Sequence, residues 1–225
     1  MLMLTSAGCH RPAPAPRVPA PARVDAAQPG LQIPRAIRPP VLEQHDDEAL
    51  WQHAVTTGPW LEPNSHAPAR PYSQARLLWD ERHLYLSLYA ADQNIVTSGA
   101  QPDRFVVHIQ PDGPHAPVFA IDIAPTGTVT DLRVVDGAPD GAWHSGAQVA
   151  MDMDGTLNDA NGEDDEEWVA FVALPWRQMG MQPAAGTRVR VQFERCDVPK
   201  DGVKRCGQWA QTVVLAGSPA TPAER

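Results

Sequence analysis

A chain of 225 residues, 43% of them hydrophobic, carries enough apolar material for a sizeable core. Its formal net charge of −9 excludes a surface built to hold nucleic-acid phosphates. No run approaches the ~20 apolar residues of a membrane-spanning helix.

The N-terminus reads apart from the rest. MLMLTSAGC, residues 1–9, is apolar, then small, then Cys9, and resembles the end of a bacterial lipoprotein signal peptide, in which the cysteine becomes the lipidated first residue. His10 in the next position implies, by that family's sorting rule, anchoring to the outer membrane. Residues 10–40, beginning HRPAPAPRVPAPARVDAAQPG, are too rich in Pro and Ala to join a core and read as an extended, semi-rigid spacer. The globular part is then one domain over 41–217, with 218–225 as a disordered tail.

From residue 41 the signals are those of an all-β protein. DDEALWQHA reads as a single helical turn or an entry strand, with Trp51 as a core anchor. QARLLW and HLYLSLYA, separated by DERH, form a hairpin whose second strand sets Leu84, Leu86 and Leu88 against Tyr85, Ser87 and Tyr89. RFVVHIQP follows, then VFAIDIA with Phe119, Ile121 and Ile123 on one face, then VTDLRVV, a loop around Trp143, and GAQVAMDM. Beyond an acidic loop, EWVAFVAL alternates Trp168, Ala170, Val172 and Leu174 with Val169, Phe171 and Ala173, the pattern of a strand buried on both faces and stopped by Pro175. RVRVQFER and GQWAQTVVL complete the series. Short strands at this spacing predict an antiparallel two-sheet β-sandwich, jelly-roll-like.

Two stretches carry candidate chemistry. The loop after Met151 places Asp152, Asp154, Asn158 and Asp159 where oxygen ligands would converge on a hard cation, Ca²⁺ by charge density, against the alternative of a solvated acidic loop. Cys196 and Cys206 flank DVPKDGVKR, a turn-forming segment, and read as a cross-strand or loop-closing disulfide in an oxidising compartment. A metal pair would lack two further soft ligands nearby.

The order ARLLWDERHLYLSLYAAD, DRFVVHIQPDG, FAIDIAPTGTVTDL, DGTLNDANGEDDEEWVAFVALPW, FER and QWA resembles the family 9 carbohydrate-binding modules over residues 45–215. The resemblance implies a β-sandwich that stacks a terminal sugar between two tryptophans, with an Arg and carboxylates or amides on the hydroxyls. The family's late Arg and Trp fall on Arg195 and Trp209, and Trp143, in a Gly/Pro-rich loop, is the candidate second wall. Trp143 and Trp209 are therefore expected at the surface, and Trp51, Trp79, Trp168 and Trp176 in the core. The loop TSGAQPD has no aromatic where the family has one, and Val106 and Phe171 stand where it has Glu.

The expected function is a non-catalytic glycan-binding domain on an envelope lipoprotein. No Ser-His-Asp elbow, HExxH helix or Gly-rich phosphate loop points to an enzyme. Two other readings stay open. One is an envelope interaction or assembly scaffold that has lost the sugar site. The other is a haem-binding sandwich using Met151 or Met153 with His108. An exposed Trp143 or Trp209 beside Arg195 in a concave patch favours sugar; burial of both favours the scaffold.

Overall fold

The computed structural model describes residues 30–43, 47–99, 101–159, 162 and 164–217. Cys9, most of the spacer and the tail 218–225 lie outside them. Two sheets face each other. One is seven-stranded, in the order β1 (Leu31–Ile33), β12 (Arg205–Leu215), β11 (Arg188–Asp197), β5 (Arg104–Pro111), β6 (Val118–Ile123), β7 (Val129–Val135) and β8 (Ala138–Asp140). The other is five-stranded, in the order β2 (Val55–Thr56), β3 (Ser73–Trp79), β4 (His83–Ala91), β10 (Glu167–Pro175) and β9 (Gln148–Asp154). The two-sheet sandwich is the predicted fold. All pairings are antiparallel except β1, which runs parallel to β12. β1 falls inside the stretch assigned to the spacer. Ile33 is fully buried and Arg35 bridges to Trp79, so the domain starts by Gly30, not at residue 41. Two apolar residues, Leu31 and Ile33, between prolines sufficed to pair with an open sheet edge.

The core is the sum of the inward faces. On β4 these are Leu84, Leu86, Leu88 and Ala90; on β10 Trp168, Ala170, Val172 and Leu174; on β5 Phe105, Val107 and Ile109; on β11 Val189, Val191 and Phe193. The β3–β4 hairpin turns on Asp80, whose Oδ1 accepts the backbone N–H groups of Arg82 and His83, each at 2.7 Å. β10 lies between β4 and β9, and a one-turn helix, α1 (Glu48–Trp51), covers part of its outer face. Leu50 and Trp51 pack there on Leu78, Tyr85, Ala173 and Phe171. That is why EWVAFVAL reads as buried on both sides.

Candidate functional site

The inward alternation does not stop where the strands stop. The β4 series ends in Asp92, one residue past the strand; the β5 series begins at Asp103, one residue before it; the β11 series Val189, Val191, Phe193 ends in Arg195 and Asp197. β4 belongs to one sheet and β5 and β11 to the other, so the three acids meet between the sheets at one end of the sandwich. Carboxylate oxygens of Asp92, Asp103 and Asp197 lie within 4.8 Å of one another, and all three residues are buried, none above 2% exposed. Arg195 Nη2 donates to Asp92 Oδ2 at 2.8 Å across the sheets, and Nη1 donates to Ser73 Oγ at 3.3 Å. Trp168 Nε1 donates to the same Asp92 oxygen at 3.1 Å. The Asn94 backbone N–H donates to Asp92 Oδ1 at 2.9 Å, and that of Val96 to Asp103 Oδ2 at 2.7 Å.

These bonds leave a deficit. One Asp103 oxygen, both Asp197 oxygens, the Asn94 side-chain oxygen and Arg195 Nε are buried without a hydrogen-bond partner. The cation facing Asp197 is Arg195, with Nη2 3.8 Å away. Three carboxylates face one guanidinium, and buried oxygens with open lone pairs are costly. Burial, reinforced by the Asp92 charge, pushes the Asp103 carboxyl up to about 8. Burial also raises Asp197, to about 6, against the opposing pull of Arg195. An all-oxygen set with unspent negative charge is what a hard divalent cation takes. The site can hold a metal ion, with the carboxylates of Asp92, Asp103 and Asp197 as the oxygens brought together. A cleft of about 430 Å³ at the β11–β12 hairpin tip is lined by Asn94, Val96, Val198 and Lys200, next in sequence to these acids.

Among the described residues, no group of three acids within reach of one ion forms in the acidic loop. Asp152 is buried on the outer side of β9, with Oδ1 accepting the Met153 amide at 2.9 Å, while Asp154 and Asp159 are exposed. Asn158 Oδ1 accepts Thr97 N–H at 2.9 Å and its Nδ2 donates to Thr97 Oγ1 at 2.8 Å, so it ties loops together. Asp165 does the same work, accepting Ile95 N–H at 2.8 Å and Thr156 N–H at 2.7 Å. Asn158 and Asp165 are thus committed to backbone amides of neighbouring loops.

The expected surface tryptophans are inside. Trp209 is 8% exposed and lies on the Phe193 ring, 5.6 Å between centroids; Trp143 is 7% exposed, against Phe119 at 4.9 Å, with Nε1 donating to the Gln178 carbonyl at 2.8 Å. The reason for Trp209 is the loop before β3. Trp60 stacks on Phe193 at 5.7 Å and Leu61 pairs with Gln208, which roofs that part of β12. Arg195 is 3% exposed and committed to Asp92, so Trp143, Trp209 and Arg195 form no open clamp. Trp51, Trp79, Trp168 and Trp176 are core residues as expected. Cys196 and Cys206 are opposite each other in the β11–β12 register and disulfide-bonded. The haem pairing does not form either. Met151 and Met153 pack on the core, whereas His108 faces out from the other sheet, 3.7 Å from Glu194 Oε1.

Comparison with known proteins agrees with this architecture. No protein-family model matches the chain, and no curated protein sequence matches it. Among solved structures, a family 9 carbohydrate-binding module from Caldicellulosiruptor kristjanssonii in complex with cellotriose is 13% identical, with a TM-score of 0.57 over 88% of this chain and 100% of the module. The same organism's module in complex with glucose gives 15% identity and a TM-score of 0.54, over 86% of this chain and 100% of that one. A putative carbohydrate-binding protein from Bacteroides uniformis gives 12% identity and a TM-score of 0.59, over 83% and 98%. The fold is thus that of the family 9 modules.

Proposed function

We propose that this chain is a non-catalytic carbohydrate-binding domain that takes the end of a glycan. A lipid on Cys9 would anchor it to the outer membrane, with the Pro/Ala-rich segment as its spacer. The observation that carries the reading is the extent of the fold likeness: modules solved with cellotriose and with glucose correspond to this chain over their whole length. The non-catalytic reading rests on the same likeness. Ca²⁺ is the proposed ion of the Asp92–Asp103–Asp197 centre. It would supply the positive charge the three acids lack and fasten the ends of β4, β5 and β11 to one another.

One set of observations favours a second reading. Burial of Trp143 and Trp209 and the commitment of Arg195 to Asp92 are what an envelope scaffold without a sugar clamp would have. Isothermal titration of the full chain with glucose and with cellotriose separates the two. Saturable heat with either sugar is the expected result. A folded protein giving no heat with both would reject sugar binding and favour the scaffold.

A further inference from the structure

We infer that the sugar is taken on the outer face of the five-stranded sheet, in the groove that Tyr72 and Tyr89 line, rather than at Trp209 and Arg195. The inference rests on the carbohydrate reading and names its surface. Strand alternation sets up the groove. The outward row of β4 runs Tyr85, Ser87, Tyr89, and the outward row of β10 runs Val169, Phe171, Ala173, in register with it. Helix α1 covers only the Tyr85 end, where Trp51 meets Phe171 at 5.9 Å. The other end is left open as a groove of about 310 Å³ between Tyr72, Gln74, Arg76, Tyr89, Glu167 and Phe171. An outer sheet face that needs only solvation carries polar residues, whereas this one keeps two tyrosines and a phenylalanine half-exposed.

The chemistry of the lining selects the occupant. Tyr72 and Tyr89 stand 6.1 Å apart with ring planes at 57°, which gives an angled aromatic wall for the C–H face of a pyranose. The cation in the lining is already paired. Arg76 Nη1 donates to both oxygens of Glu48, at 2.9 and 3.0 Å. Burial, with the Glu167 carboxylate beside it, pushes the Tyr89 phenol up to about 12. Asp152, the other acid there, is buried and accepts the Met153 amide. With its one cation paired and further carboxylates in its lining, the groove has nothing to hold an anion, and its acceptors suit a neutral ligand with many hydroxyls. Gln74, Glu167 and the tyrosine hydroxyls supply donors and acceptors around the aromatic wall. The volume sits at the low end for small-molecule sites, and the α1 end is closed by the Glu48–Arg76 pair, so the fit is to a chain end.

The test is calorimetric titration of the full chain and of its Tyr72→Ala and Glu167→Gln variants with cellotriose, alongside circular dichroism and melting curves. The wild type binds and each variant binds roughly tenfold more weakly at unchanged fold if the groove is the site. If the wild type binds and both folded variants match it, the groove is rejected while the carbohydrate reading stands. If the wild type binds no sugar, both fall. Should Tyr72→Ala unfold, the near-isosteric Glu167→Gln decides alone.

Discussion

The buried acids make a prediction whose sign is fixed by the geometry. In chelator-treated protein Asp103 titrates at about 8 when folded, against 3.8 for an unburied aspartate. A folded pKa above the unfolded one means the native state binds the extra proton. The stability this contributes is complete below about 4 and is lost as pH rises through about 8. Asp197, raised to about 6, works in the same sense at lower pH. The clean window is pH 9 to 7. Below it, His83 and His108, whose charged forms burial disfavours, begin to act oppositely, because the unfolded chain takes their protons first. The acids with lowered values, Asp47, Asp140 and Asp201, contribute stability that is lost only below about 4. Integrating one group with a pKa of about 8 across this window gives about 1 kcal/mol of added stability on going from pH 9 to pH 7. For a domain of this size that is a melting temperature roughly 2–4 °C higher at pH 7. Calcium reverses the slope, because protons then compete with the ion. At about 1,000 times its dissociation constant it adds about 4 kcal/mol, a shift of roughly 8–16 °C. Scanning calorimetry at the two pH values, with chelator and with millimolar Ca²⁺, reads both effects. A chelated protein that is more stable at pH 9 than at pH 7, together with no response to Ca²⁺, would refute the account of this centre.

Other consequences follow from the same contacts. Arg195→Met leaves three buried carboxylates with no guanidinium and is expected to cost about 3–5 kcal/mol, read as a fall in denaturant midpoint. Trp209→Ala opens a cavity beside Phe193 and Trp60 and should destabilise by about 3–5 kcal/mol. In the folded fraction it should leave cellotriose affinity unchanged in calorimetry, since the ring lies inside. Reducing the Cys196–Cys206 bond, which closes a short loop at the hairpin tip, should cost roughly 2–3 kcal/mol, measured by melts with and without reductant.

The alternation of side chains made most of the fold legible. HLYLSLYA, RFVVHIQP and EWVAFVAL each read as strands from their alternation, because the burial of alternate apolar residues outweighs every other preference of a strand in a sandwich. The same parity, carried past the strand ends, would have found the acidic centre: Asp92 continues Leu84, Leu86, Leu88, Ala90, and Asp197 continues Val189, Val191, Phe193, Arg195. It would also have turned Trp209 inward, since it shares a face with the buried Val213 and Leu215. Local charge density pointed instead to Asp152–Asp159, whose carboxylates are spread over a strand end and an exposed loop. The roof over Trp209 was not legible, because Leu61 and Gln208 are joined only by the tertiary fold. The Tyr72–Tyr89 groove likewise depends on which half of the outer sheet α1 covers, a matter of where four residues land.

The central claim is that a sugar end sits on the five-stranded sheet. Amide chemical shifts of the isotope-labelled full chain, followed while cellotriose is added, test it most directly. The account predicts saturable shifts concentrated at Tyr72, Gln74, Arg76, Tyr89, Glu167 and Val169, with the β11–β12 hairpin unmoved. Shifts centred on Arg195 and Trp209, or no shifts at saturating sugar, would contradict it.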